Sequence, residues 1–337
     1  MSQITNDYQL LLNQISEVYQ LGRQRVATAV NSHILNTYWS IGQYIVEFEQ
    51  GGKLKAEYGK ALLKNLSKDL TLLHGKGFSL SNIYLMRLFF IKYPIFQTLS
   101  GKFKNLSWSH FSELMTIEDD LERQFYEIQC QNENWSVKEL KRQKNTALFA
   151  RLAISTDKKG LIELSQKGHS INQPTDILKE PFVFEFLKIP ENTQLSETDL
   201  EKRLMDNLQN FLLELGKGFT YVGRQYRITL DNTNYYVDLV FYHRILRCFV
   251  LVDLKIRKVK HHDIGQMNMY MGYFAKEQNI EGDNPPIGII LTQEKDDLLV
   301  EYATYGMSSQ LFISKYQLYL PNKEDLKNLI ENQLDSK

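Results

Sequence analysis

The chain has 337 residues, with 40 Lys and Arg against 40 Asp and Glu, two cysteines and 43% hydrophobic residues. This length exceeds what one compact core usually spans, so the composition predicts two domains. Two cysteines are too few for a disulfide framework or a cysteine-based zinc site. No apolar run is long enough to cross a bilayer, and the polar residues 1–7 are unlike a signal peptide. The sequence therefore predicts a cytoplasmic protein with no membrane partner.

The zero net charge argues at first sight against a nucleic-acid partner, but the charges are unevenly distributed. Residues 1–160 carry 20 Lys and Arg against 15 Asp and Glu, a balance of +5 that leaves −5 for the remainder. Between Lys53 and Lys104 there are ten basic residues and only two acidic ones. A basic N-terminal module beside an acidic C-terminal module suggests that the N-terminal part binds phosphate.

The N-terminal half has apolar residues at helical spacing almost throughout. The predicted helices are Tyr8–Tyr19, Val26–Phe48, Tyr58–Leu73, Ile83–Tyr93, His110–Met115 and Leu121–Cys130. A glycine turn precedes the fourth helix, and Ser81 is predicted to cap it. This arrangement is compatible with a helix-turn-helix motif whose second helix enters the major groove, which makes Arg87 a predicted DNA contact. A helical bundle that packs on the rest of the chain or mediates self-association is an equally open alternative.

The C-terminal half shows helices first and then strands. A short helix is predicted from Pro181 to before Pro190, and a longer one from Ser196 to Leu215, with Ser196 and Asp199 resembling a capping box. β-Branched and aromatic runs predict strands, and an apolar run after two prolines predicts a buried one. The strands are Phe219–Leu230, Tyr235–Tyr242, Cys248–Ile256 and Ile287–Leu291, and a helix at Asp263–Gln278 precedes the last of them.

Charged residues interrupt two of these apolar strands. Only His243–Leu246 separates the second strand from the third, so we expect an antiparallel hairpin with Asp238 almost opposite Asp253. Because side chains alternate across a strand, Asp253 and Lys255 lie on one face. Buried carboxylates need a metal, a cation or hydrogen-bond donors, so the alternative to a metal site is a structural ion pair.

This trio suits the hydrolysis of a phosphodiester. Two carboxylates with water and substrate phosphate are typical ligands of Mg²⁺, and Mn²⁺ can replace it. A lysine beside them can orient the attacking water or lower its pKa. The sequence therefore predicts that Asp238 and Asp253 bind Mg²⁺ or Mn²⁺ and that Lys255 assists the water.

The order Asp, then Asp-x-Lys on the next strand, resembles the PD-(D/E)xK restriction-like nuclease superfamily, and the flanking residues resemble its YhcG-like family. The matching segments are Phe211–Phe219, Val222–Arg227, Tyr236–Arg244 and Gly265–Tyr270, with Leu106–His110 and Trp135–Leu140 in the N-terminal half. Two residues depart from the pattern. Val237 stands in place of the proline, and Asp253 replaces the more usual glutamate, which shortens that ligand by one methylene.

The resemblance implies a fold and further site residues. The fold is an α/β restriction-endonuclease-like core, a central mixed sheet flanked by helices, behind a mostly α-helical N-terminal domain. Glu214 is implied as an auxiliary metal ligand on the helix before the first core strand, and Gln225 as a polar group facing the site. Gln266 and Tyr270 match a Gln-x-x-x-Tyr pattern, and their spacing places both on one helix face.

These features together predict a metal-dependent nuclease acting on DNA, with RNA an open alternative. The predicted divisions are a helical N-terminal domain over residues 1–155, a linker over 156–175 and a nuclease domain over 176–337. Lys258 and Lys260, in the basic run after the site, are predicted nucleic-acid contacts together with Gln225 and Arg87. The rival hypothesis is a nuclease fold that no longer cuts and acts as a nucleic-acid-binding or complex-forming module. A homodimer or a partner protein also stays open.

Overall fold

The structure is a computed structural model of the chain, and it describes residues 2–50, 56–95, 105–154, 158–190, 193–295, 310–322, 324–326 and 328. The chain divides into two compact units, Met1–Lys141 and Arg142–Lys337. Among the described residues, no helix is both long enough and apolar enough to cross a membrane.

The first unit is helical. Its helices are α1 (Ser2–Gln50), α2 (Ala56–His74), α3 (Leu80–Lys92), α4 (Trp108–Leu114) and α5 (Asp120–Glu133), and α6 (Val137–Asn145) runs across the division into the second unit. The predicted helical character of this half is therefore confirmed. The two helices predicted within residues 8–48 are one continuous helix, because Gly22 and its neighbours do not interrupt the helical backbone.

Aromatic side chains form the core of this unit around α3. Ile83, Met86 and Phe89 are its buried face. The ring of Phe89 lies 4.8 Å from that of Phe111 and 5.5 Å from that of Trp108, measured between centroids. The N-cap of α3 is Ser79, whose side chain accepts a hydrogen bond from the backbone N–H of Asn82 at 3.3 Å. The prediction of Ser81 as the cap was therefore wrong by two residues, because Leu80 already has helical geometry.

The second unit is built on a six-stranded sheet. Its helices are α7 (Leu148–Ala153), α8 (Lys158–Lys167), α9 (Glu197–Asp206), α10 (Leu208–Leu215) and α11 (His261–Tyr273). Its strands are β1 (Phe182–Val183), β2 (Phe219–Leu230), β3 (Thr233–His243), β4 (Cys248–Lys255), β5 (Ile287–Thr292) and β6 (Leu311–Gln317). The strand order is β1-β6-β5-β4-β3-β2. Antiparallel pairing joins β2, β3 and β4, and parallel pairing joins β4, β5, β6 and β1. The predicted mixed sheet, the β3–β4 hairpin and the strand beside β4 are all confirmed.

Helices cover both faces of this sheet. On one face, Leu200 of α9 and Phe211 of α10 pack against Val250, Val252 and Leu254 of β4. On the other face, helix α11 packs against Leu251 of the same strand. This alternation places Asp253 and Lys255 on the α11 side of β4.

Three local predictions in this unit need correction. The segment after Pro181 is not a helix: Phe182–Val183 pairs with β6, and only a 3₁₀ turn follows at Glu185–Leu187. The long helix predicted to end at Leu215 is two helices, broken at Asn207, although its predicted capping box at Ser196 and Asp199 is confirmed. Residues 156–175, predicted as a linker, include α8.

Candidate active site

The end of the β3–β4 ladder brings two carboxylates together. The last pair of this ladder is Leu239 opposite Val252, so Asp238 and Asp253 come next on the two strands. β4 nevertheless continues to pair with β5 as far as Lys255 opposite Thr292. The Asp238 side chain takes the place of the missing backbone partner, because its Oδ2 accepts the N–H of Leu254 at 2.8 Å. The sheet therefore opens between β3 and β4 at the residues that carry the charges.

Lys255 pairs with Asp253 inside this opening. Its Nζ lies 2.6 Å from Asp253 Oδ2 and 3.8 Å from Glu197 Oε2. It also donates to the carbonyl oxygen of Leu254 at 3.3 Å. Asp253 and Lys255 are 6% and 8% exposed, so this ion pair is shielded from water and only weakly screened.

The site holds more negative than positive charge. Burial and the adjacent Asp238 carboxylate raise the pKa of Asp253 to about 7, against the opposing effect of Lys255. Burial by itself would lower the pKa of Lys255, but the carboxylates of Asp253, Asp238 and Glu197 raise it above its ordinary value. The raised pKa favours the ammonium form of Lys255.

Helix α11 supplies two more of the predicted residues. The hydroxyl of Tyr270 donates to the carbonyl oxygen of Tyr236 at 2.9 Å, and Gln266 Nε2 donates to that hydroxyl. Burial raises the pKa of Tyr270, and the carboxylates of Asp253 and Asp238 raise it further. Its partner Tyr236 lies two residues before Asp238 on β3. The structure therefore brings Gln266 and Tyr270 beside the charged trio.

Gln225 on β2 links the site to helix α9. Its Nε2 donates to Glu201 Oε2 at 2.6 Å and to Asp238 Oδ1 at 3.1 Å. The backbone of Gln225 has φ +47°, a left-handed conformation that a non-glycine residue rarely adopts inside a strand. Residues held in such conformations cluster at functional sites, where the surrounding contacts stabilise them.

Sequence reasoning missed Glu197 and Glu201. Burial and the neighbouring Asp238 carboxylate raise the pKa of Glu201, and Gln225 partly opposes them. Glu197 also accepts the backbone N–H of Ile256, at 3.3 Å from Oε1. Their spacing of four residues places both on one face of the predicted helix, and this spacing is the sequence signal from which they could have been found. Glu197 stands in the first turn, where an acidic residue is common in any helix, so the pattern alone was ambiguous.

Glu214, predicted as an auxiliary metal ligand, lies in a different cluster. Its carboxylate accepts from Arg151 at 2.6 Å, from Arg142 at 2.9 Å and from the N–H of Val183 at 2.9 Å. Lys179 donates to its backbone carbonyl. Burial alone would raise the pKa of Glu214, but Arg151, Lys179 and Arg142 lower it to about 2. With both oxygens occupied by these donors, Glu214 holds together the segments around it and is not placed beside Asp238.

The predicted nucleic-acid contacts differ in their surroundings. Lys258 and Lys260 are exposed in the loop between β4 and α11. A bidentate ion pair between Arg257 and Asp263, at 2.7 and 2.8 Å, fixes this loop against the start of the helix. Arg87, in the first unit, is instead paired through its Nε with both carboxylate oxygens of Glu49, at 2.8 and 3.0 Å.

The residues of the site fit a hard divalent cation. Asp238 and Asp253 provide two carboxylates without enough positive charge to balance them. In the described part of the chain no three His, Cys, Asp or Glu side chains are grouped to hold a metal by themselves. This donor set suits Mg²⁺ or Mn²⁺, which keep several water ligands, and it does not suit a closed zinc site.

A mixed sheet flanked by helices, with Asp on one strand and Asp-x-Lys on the next, defines a restriction-endonuclease-like fold, and the predicted fold class is confirmed. Residues 175–333 match the YhcG PDDEXK nuclease domain, and residues 14–151 match the DUF1016 N-terminal domain. The chain is 36% identical over 351 residues to the Escherichia coli (strain K12) protein named "Putative nuclease YhcG", covering 96% of this chain and 93% of that one. The chain therefore belongs to the YhcG family of PDDEXK nucleases, as the sequence motifs predicted.

Two solved structures show a more distant likeness. A repair endonuclease from Pyrococcus abyssi is 19% identical with a TM-score of 0.27, over 39% of this chain and 50% of that chain. EndoMS in its apo form is 17% identical with a TM-score of 0.24, over 39% of this chain and 49% of that chain. At these scores the two structures carry no further argument about the site.

Proposed function

We propose that the protein is a divalent-cation-dependent nuclease that hydrolyses phosphodiester bonds in DNA, with Asp238 and Asp253 holding Mg²⁺ or Mn²⁺. The observation that carries this proposal is geometric: the buried Asp253 carboxylate pairs with Lys255 at 2.6 Å, and the adjacent Asp238 carboxylate accepts the N–H of Leu254 at 2.8 Å. Two such carboxylates ionise together only when a further cation balances them. When bound, the cation supplies charge neutralisation at the scissile phosphate and promotes ionisation of a water molecule.

Lys255 acts as a hydrogen-bond donor in this proposal. The carboxylates of Asp253, Asp238 and Glu197 raise its pKa, which favours the ammonium form. It orients the attacking water and stabilises negative charge as it develops on the phosphoryl oxygens. Gln225 positions the carboxylates of Asp238 and Glu201 through its two hydrogen bonds. Gln266 fixes the hydroxyl of Tyr270, which binds the backbone of β3 at Tyr236.

DNA is the proposed substrate because two exposed lysine side chains come directly after the site in the sequence. Lys258 and Lys260 lie within five residues of Lys255 and can contact backbone phosphates. The excess of basic residues in positions 1–160 supports a phosphate-binding role for that half as well. Two reduced thiols, Cys130 and Cys248, are consistent with the proposed cytoplasmic location.

The direct test measures cleavage of DNA by the pure protein with Mg²⁺ or Mn²⁺, beside Asp238→Asn and Lys255→Ala variants. We expect both variants to lose roughly 10²–10³-fold in rate while they still bind DNA in EDTA. Asp206→Asn and Lys276→Ala are the matched controls, because both side chains are exposed and outside the site. Equal rates of DNA cleavage by the wild type and Lys255→Ala would contradict the proposal.

The same experiment separates the rival hypotheses. A nuclease fold that no longer cuts would bind DNA with no dependence on metal, Asp238 or Asp253. Offering RNA of the same sequence identifies the polymer. Comparing a closed circle with a linear duplex distinguishes cutting at internal sites from cutting at ends.

A further inference from the structure

The N-terminal part of α1 exposes an unusual amount of apolar surface. Among the residues of this helix whose exposure is described, the first buried one is Leu35, and all of those before Thr28 are exposed. Large apolar side chains in this part are nevertheless frequent, and ten are between 40% and 71% exposed: Tyr8, Leu11, Leu12, Ile15, Val18, Tyr19, Leu21, Val26, Val30 and Ile34. Exposed apolar groups in such numbers mark a surface that another chain covers.

Most of these side chains form one stripe. Positions 8, 12, 15, 19, 22 and 26 alternate spacings of four and three residues, which is the a/d pattern of a coiled coil. Positions 11 and 18 widen this seam on one side. We call residues 8–34 of this helix the α1 stripe, which is about 40 Å long at 1.5 Å per residue.

The stripe is large enough for a stable dimer. The seven half-exposed apolar side chains on and beside this seam, at roughly 60–100 Å² each, give on the order of 500–600 Å² per partner, and the residues that flank the seam add to it. That area approaches the roughly 600–800 Å² that each side contributes to a standard protein interface. Helices in proteins also gain most of their stability from packing of an apolar face.

We propose that the α1 stripe pairs with the same stripe of a second copy of this chain, in antiparallel orientation. Gly22 lies on the seam with open space around the position of a Cβ atom. In an antiparallel pair Tyr19 of one copy faces Gly22 of the other, and Leu12 faces Ala29, so large residues meet small ones. A parallel pair would instead place Gly22 against Gly22 and leave a gap.

The test measures the mass of the full-length protein in solution by light scattering over a dilution series. We expect a dimer for the wild type and at least about a 100-fold weaker dimer for the Ile15→Gln, Val26→Gln double variant. Glutamine is a good helix former, so circular dichroism should show unchanged helix content. The matched control is Leu72→Gln, Leu73→Gln, which replaces two exposed leucines of α2 and should leave the dimer intact.

Cysteine cross-linking tests the orientation. Ile15 faces Val26 of the partner in the antiparallel pair, so a mixture of Ile15→Cys and Val26→Cys chains should form a disulfide-linked dimer. Each variant alone should not, because its two cysteines would be about 16 Å apart along the axis. A single-chain mass for the wild type at every concentration, or a dimer that the double variant leaves unchanged, would overturn the pairing. Efficient cross-linking of either variant alone would overturn the antiparallel orientation.

Discussion

In the described part of the unit Arg142–Lys337, two buried clusters of charged side chains are balanced in opposite ways. Around Glu214, the carboxylates of Glu214 and Glu185 meet three cations, Arg142, Arg151 and Lys179, and the pKa of Glu214 falls to about 2. Around Asp253 the carboxylates of Asp253, Asp238 and Glu197 share one lysine, Lys255, and the pKa of Asp253 rises to about 7. The first cluster is complete as it stands, whereas the second has room for another positive charge.

This difference shows how a buried carboxylate that stabilises the fold can be distinguished from one that belongs to a cation site. Burial penalises the ionised carboxylate in both places, so burial alone does not distinguish them. The local sum of charges distinguishes the two clusters. A carboxylate whose oxygens are all used by cations and N–H groups stabilises the fold, and a pair of carboxylates in excess over nearby cations is a site for a cation.

The largest expected effect is on the balanced cluster. Glu214→Gln removes the negative charge between Arg142 and Arg151. Arg142 keeps its ion pair with Glu185, but the fully buried Arg151 loses its carboxylate partner. Breaking a buried ion pair in this way costs about 3–5 kcal/mol in the free energy of unfolding. Urea denaturation measures it. Glu163→Gln is the control, because Glu163 pairs with Lys167 on an exposed helix face and should change stability by under about 1 kcal/mol. Equal shifts in both variants would refute the comparison.

The next effect concerns the unbalanced cluster. Asp253→Asn removes a carboxylate that is repelled by Asp238, so we expect the metal-free protein to be as stable as the wild type or more stable. Cleavage of DNA in Mg²⁺ should fall by roughly 10²–10³-fold. Activity and urea denaturation are measured on the same preparation. A loss of stability as large as that of Glu214→Gln would mean that Asp253 is a structural residue.

The pH dependence of stability should have opposite signs in the two clusters. Asp253 has a folded-state pKa of about 7 against an ordinary 3.8, so the folded protein binds more protons between those values. Its contribution to stability without metal therefore falls as pH rises through this window. For Glu214, with its pKa lowered from 4.5 to about 2, the contribution is present above pH 4.5 and is lost as pH falls toward 2.

Denaturation midpoints in EDTA between pH 5 and 8 measure the first of these effects. Asp253→Asn should flatten the profile, and Mg²⁺ should restore stability to the wild type at pH 8 by binding the ionised pair. An unchanged profile in Asp253→Asn would assign the pH dependence to another group.

The placement of the site residues could be predicted from the sequence only where it depends on the local periodicity of a strand or a helix. Alternation along β3 and β4 placed Asp238, Asp253 and Lys255 on one surface, because the short turn fixes the register of the hairpin. The spacing of Gln266 and Tyr270 placed both on one helix face for the same reason. These are consequences of strand and helix periodicity alone.

Contacts between distant segments could not be anticipated. Glu214 and Glu201 are both acidic residues on helices before β2, and only the tertiary structure shows that Arg142, Arg151 and Lys179 surround the first of them. The pairing of Phe182–Val183 with β6 also joins segments more than a hundred residues apart, so local propensity favoured a helix there. The conformation of Gln225 is a third example, since nothing in its neighbours demands a positive φ.

The smallest expected effect concerns Gln225. It separates the backbone strain at this residue from the hydrogen bonds that its side chain makes to Glu201 and Asp238. Its left-handed backbone is disfavoured for alanine and tolerated by glycine, so Gln225→Gly should be about 1 kcal/mol more stable than Gln225→Ala. Both variants lose the hydrogen bonds to Glu201 and Asp238 and should lose activity to the same extent, roughly tenfold or more. Urea denaturation and initial cleavage rates on the two variants provide both numbers. If Gln225→Gly kept wild-type activity, the side chain would not position the carboxylates, and only the strain at this residue would need explanation.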